Sequence, residues 1–108
     1  MKQKLKKIVI LWALMVLVGS VFGEDVIRSK RVGSYDILLT HLSSGYFVAI
    51  IDNYSRCYFL MGSYKRSQAM FIFDNFATPS YVTEIIDSNY WVYDGVMEHN
   101  GWPSYHLK

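Results

Sequence analysis

From Tyr35 to Leu107 the chain alternates short runs rich in Ile, Val, Tyr and Phe with clusters of Gly, Asn, Asp and Ser at close spacing. That rhythm predicts an antiparallel β protein. The runs place strands at 35–42, 46–52, 57–62, 69–73, 90–93, 96–99 and 102–107, with turns at 43–45, 53–56, 63–68, 94–95 and 100–101. Residues 78–87 read two ways. Thr78 followed by Pro79 suits a helix start and would put Val82, Ile85 and Ile86 on one face, whereas the β-branched content favours a strand.

Pairing the first three strands through a loop at 43–45 gathers Leu38, Leu42, Tyr46, Val48, Ile50, Phe59 and Met61 on one face. Ile37, Leu39, Phe47, Ala49, Ile51, Tyr58 and Leu60 gather on the other. Both faces are apolar, so each needs a cover: another sheet layer, barrel closure, a helix or a partner chain. The expected fold is all-β or β-dominated: a small antiparallel meander closed as a barrel or two-layer sandwich, with at most one short helix near 79–87.

Asp94-Gly95 and Asn100-Gly101 are strong two-residue hairpin turns and predict a tight three-strand meander. One surface of it carries Trp91, Tyr93, Val96, Pro103, Tyr105 and Leu107, with Glu98 as its only charge, and is the expected core face. The other carries Tyr90, Val92, Met97, His99, Trp102, Ser104 and His106. It lines up Tyr90, His99 and Trp102 about 5 Å apart. A row of this kind either caps a small sheet or forms an aromatic platform with polar tips, as at binding surfaces. The candidate binding residues are therefore Tyr90, His99, Trp102, Ser104 and His106.

The N-terminal pattern is different. Lys2, Lys4, Lys6 and Lys7 precede an unbroken apolar run from Ile8 to Val18, and Val21-Phe22-Gly23 ends the stretch. This is the layout of an export signal cleaved after Gly23. The apolar stretch falls short of the roughly 20 residues that a membrane span wants. An uncleaved segment would anchor the chain but leave residues 24–108 on the same side of the membrane. The expected organisation is a signal peptide over 1–23, a flexible or extended lead-in over 24–34, and a single β-rich domain over 35–108, secreted or periplasmic.

Cleavage changes the charge. It removes four of the eleven basic residues and none of the nine acidic ones, leaving seven against nine, a net charge of −2. Nothing in the remainder resembles a basic nucleic-acid footprint, which excludes DNA and RNA as expected partners. Sixteen of the eighteen aromatic residues lie after Gly23, and each buries on the order of 150–250 Å² when packed. Packing must hold the domain, because the single cysteine, Cys57, permits no intramolecular bridge.

The candidate chemistry is sparse. Cys57 opens a predicted strand and reads as an inert thiol, with an intermolecular disulfide and a nucleophile as the other roles open to it. His99 and His106 fall about four residues apart along the meander, roughly 13 Å at strand rise, too far to share a metal. No metal or cofactor is expected. Asp36 and Asp52 fall nearly opposite in the first hairpin, a wet sheet end rather than a catalytic pair. The sequence therefore points to a non-enzymatic binding or inhibitory protein acting on an envelope or extracellular protein. Carbohydrate binding through the aromatic platform is the second reading, and a small hydrolase using Cys57 or a carboxylate pair the third. Self-association through the excess apolar face is compatible with each.

Overall fold

A computed structural model describes residues 26–108. The predicted signal segment and its cleavage point lie outside the described residues. Six strands and two helices follow in the order β1 (Val26–Val32), β2 (Tyr35–Leu42), β3 (Gly45–Asp52), β4 (Cys57–Tyr64), α1 (Arg66–Asn75), α2 (Pro79–Ser88), β5 (Trp91–Val96) and β6 (Pro103–Leu107). They form one mixed sheet in the order β1-β2-β3-β4-β6-β5. β1 to β4 run as an antiparallel meander. After both helices the chain returns, β6 pairs parallel to β4, and β5 takes the outer edge antiparallel to β6.

The fold is thus β-dominated, as the alternation predicts, and the sheet stays open with β1 and β5 at its edges. The second layer is helical. α2 is the short helix allowed at 79–87: Thr78 Oγ1 accepts from the Tyr81 amide at 3.3 Å, and Pro79 fills a first-turn position where no N–H is needed. α1 replaces the strand expected at 69–73. Its start is fixed by Gln68, whose Oε1 accepts from the Lys65 amide at 3.0 Å. Ala69 and Phe73, one helical turn apart, are the residues it buries.

The core lies between sheet and helices. Ile37, Leu39, Val48, Ile50, Phe59 and Met61 from the sheet meet Ala69, Phe73, Phe76 and Val82. Each of these side chains apart from Ala69 contributes about 1.5–3 kcal/mol on burial. The register corrects the sequence-based faces by one residue in β2. Leu42 pairs with Gly45, so only Ser43 and Ser44 form the loop, and Ile37 and Leu39 stand with Ile50 and Val48. A one-residue slip moves every side chain of a strand to the other face. Leu38 therefore belongs to the face away from the helices, not to the core.

Residues 26–32, expected as part of a lead-in, form the edge strand β1. Its long basic side chains hold it there by lying over α1. Lys30 donates to the Phe73 carbonyl at 2.7 Å and sits 4.5 Å from that ring, while Arg28 pairs with Asp74 at 3.1 Å. Cations at the last turn of a helix also oppose its dipole favourably.

Candidate functional site

Among the described residues the helices cover one side of the sheet and no element covers the other, so this open side is where the unassigned apolar surface lies. Residues paired directly across strands share a face. One row runs Asp36, Ile51, Tyr58, Ser104, and the next runs Leu38, Ala49, Leu60, His106, Val92. Thr40 and Phe47 form a third. Leu38, Phe47, Ile51, Leu60 and Val92 are half-buried. Phe47 packs against Gly62, where any β-carbon would collide with its ring.

Polar pairs bound this apolar centre. On the β1–β2 side Arg31 Nε donates to Asp36 at 2.7 Å and Asn53 Nδ2 donates to it at 2.9 Å. Burial pushes the Asp36 carboxyl up, but the bonds from Arg31 and Asn53 outweigh it and hold the group below its ordinary value. On the β5–β6 side Asp94 meets His106 Nδ1 at 2.6 Å. There burial prevails over the His106 contact and raises the Asp94 carboxyl.

The C-terminal hairpin differs from the predicted meander. Trp91 pairs with Leu107, Val92 with His106, Tyr93 with Tyr105 and Val96 with Pro103. Asp94-Gly95 is a bulge inside β5 rather than a turn. The chain reverses only around Asn100-Gly101: the Met97 amide donates to the Trp102 carbonyl at 2.8 Å, and Gly101 takes φ 75°. This longer hairpin stacks Tyr105 on Phe59 at 5.5 Å and sets Tyr93 at 5.7 Å from Tyr105. A turn at Asp94-Gly95 would forgo that aromatic ladder.

The expected row of Tyr90, His99 and Trp102 is therefore split. Tyr90, 70 % exposed, stands at the far end of the hairpin with Lys108 Nζ 5.2 Å from its ring. His99 and Trp102 stay together because both pack on Tyr58, at ring distances of 6.3 and 5.7 Å. Asn100 Nδ2 donates to the Tyr58 hydroxyl at 2.9 Å, and His99 Nε2 lies 3.3 Å from it. Burial raises the Tyr58 hydroxyl and lowers the His99 imidazole. Ser104 lies beside Tyr58, and His106 one step further along β6, opposite Leu60. Tyr58 and Asn100 are the members of this cluster that sequence reasoning missed as site residues. The placement of Tyr58 on the second face of β4 was the available signal.

The remaining candidates separate. Cys57 is 8 % exposed and pairs with Asp52. Burial and the neighbouring Asp52 push its thiol to about 11, so it is neither a thiolate nor accessible at neutral pH. A bridge from Cys57 to another chain requires this end of the sheet to open. Asp36 and Asp52 point to opposite faces, since Asp52 pairs with Tyr35 and Asp36 with Ile51. Asp52 instead accepts from the Tyr54 and Ser55 amides, both at 3.0 Å, and caps a turn. His41 stacks on Tyr46 at 4.1 Å, away from the other two histidines.

No family model, curated protein or solved structure matches the chain. The geometry is left to speak for function. Among the described residues no group of three or more His, Cys, Asp or Glu side chains could hold a metal ion. None of the described helices is long and apolar enough to cross a membrane. Beside α1, a shallow depression of about 410 Å³ is lined by Tyr64, Ser67, Gln68, Phe71 and Ile72.

Proposed function

We propose that the chain is a small exported binding or inhibitory protein, acting without catalysis on another protein in the envelope or extracellular space. The observation that carries this reading is the open sheet face. An apolar centre of Leu38, Phe47, Ile51, Leu60 and Val92 is bounded by Arg31–Asp36 on one side and Asp94–His106 on the other. An apolar core inside a polar rim is the anatomy of a protein interface. Export is supported by the lysine-rich start and apolar run of the first 23 residues.

Photo-crosslinking in the producing cell tests it. A benzophenone amino acid at Leu60 is expected to yield one discrete adduct that the same probe at Tyr54, exposed in the β3–β4 turn, does not. Equal labelling from both positions, or none from Leu60, would sink the reading.

A second reading, glycan binding, rests on the cluster of Trp102, His99, Asn100 and Ser104 around Tyr58, which sets an aromatic ring beside sugar-bonding groups. Saturable quenching of tryptophan fluorescence by cell-wall glycans, lost in Trp102→Ala, would favour it over a protein partner.

A further inference from the structure

The two sheet edges are unlike. β1 carries Arg28, Lys30 and Arg31, the kind of charge that keeps an edge strand from pairing with another chain. β5 has no basic residue, and its one charge, Asp94, is held by His106. Along it Tyr90, Tyr93 and Val96 are 70, 58 and 60 % exposed.

Among the described residues, the hydrogen bonding shows which backbone groups of this edge turn outward. The Lys108 amide donates to the Tyr90 carbonyl at 3.0 Å, in register with the Trp91–Leu107 pair. Antiparallel pairs alternate between bonded and unbonded, so Tyr90 and Val92 turn their backbone groups toward β6. Trp91 and Tyr93 turn theirs outward.

The geometry points to β5 as a homodimer edge, where a second copy of this chain adds its own β5 antiparallel to the first and joins two six-stranded sheets into one. Outward groups must meet outward groups. A two-fold axis at Val92 satisfies this, with Trp91 bonded opposite Tyr93 of the second copy and Tyr93 opposite its Trp91. The side chains then match as well. Trp91 and Tyr93 form two aromatic cross-strand pairs on the helix-bearing face. The two Val92 side chains meet on the open face as an unbonded, close pair. Tyr90 stands opposite Asp94 of the second copy, which brings the Lys108 ammonium near that carboxylate. The Asp94-Gly95 bulge ends the pairing, so the contact spans Tyr90 to Asp94 and self-complements over that length.

Cysteine placement tests the register in the full chain, with Cys57→Ala as background. Val92→Cys sits on the axis, where unbonded partners have Cα atoms about 4.5 Å apart, within disulfide reach. Tyr90→Cys puts the two thiols about 13 Å apart along the strands despite its greater exposure. Mild oxidation is expected to convert Val92→Cys to covalent dimer at least tenfold faster than Tyr90→Cys. Sedimentation of the unsubstituted protein is expected to show a concentration-dependent monomer–dimer equilibrium, with the Trp91 and Tyr93 amides gaining exchange protection as dimer forms. A monomer at every concentration, or equal oxidation of the two cysteine variants, overturns the proposal. The exchange measurement decides it even where a cysteine variant fails to fold. The edge contact runs through the outward backbone groups of Trp91 and Tyr93 and shares only Val92 and Asp94 with the open face, so failure here leaves the protein-binding reading, which is tested at Leu60, standing.

Discussion

Thr40 offers a stability test that follows from one atom. Its side chain is fully buried on the open side of β2, paired across to Phe47, and its Oγ1 has no hydrogen-bond partner among the described residues. An unsatisfied buried hydroxyl costs about 1–3 kcal/mol, and valine keeps the shape and β-branching of threonine without it. Thr40→Val should therefore stabilise the domain by about 1 kcal/mol, the lower end being appropriate for an edge-proximal site. In a domain of this size that raises Tm by about 4–8 °C. Thr40→Ser is the control: it keeps the hydroxyl and loses a methyl group, which should lower stability by about 1 kcal/mol. Urea titration and thermal melting of the three proteins give the answer. A Val variant less stable than the parent, with a neutral Ser variant, would show that the hydroxyl is satisfied and the argument wrong.

Three further outcomes follow from the core and the titrating groups. Phe73→Ala, removing the ring that joins α1 to the sheet and to Lys30, should cost about 3–5 kcal/mol, a large share of a net stability of about 5–15 kcal/mol; a cooperative melt within 5 °C of the parent would contradict it. His99 is lowered by burial, so its neutral form is the one the fold prefers; stability should be full above the unfolded value near 6.5 and fall as pH drops through that region, and His99→Gln should flatten this part of the profile relative to the parent. Cys57, buried and pushed to about 11, should resist iodoacetamide at pH 8 until urea unfolds the chain, and labelling of the native protein at the rate of a free thiol would refute its placement.

The meander was legible because its strands alternate and its turns are short. Tyr35–Leu42 matches the expected bounds, and β3 and β4 differ from theirs by one or two residues at one end. The face assignment of β2 was not legible, because both its faces are apolar and a single residue in the Ser43–Gly45 turn decides between them. α1 was hidden by its own composition: Ala69 to Phe73 is a continuous apolar run with no polar break to reveal a helical period. At the hairpin, Asp94-Gly95 carries as strong a local turn signal as Asn100-Gly101, yet Tyr93, Tyr105 and Phe59 hold it as a bulge. Local chemistry lost there to aromatic packing across three strands, and with it went the predicted neighbourhood of Tyr90. His99 and Trp102 remained together because Tyr58 lies beneath both.

The parallel pairing of β4 with β6 also dictates an order of assembly. β1 to β4 close through neighbouring turns, whereas Tyr58 finds Ser104 only after both helices and β5 have intervened. A chain that emerges N-terminus first therefore completes its meander while one flank of β4 still has bare amides and carbonyls. Contacts so distant along the chain form slowly. Until β6 arrives, that flank is a template for any extended strand nearby. Strand β6 thus acts as a late seal on the nascent sheet, and shortening the chain before Pro103 would convert a folding domain into an aggregating one.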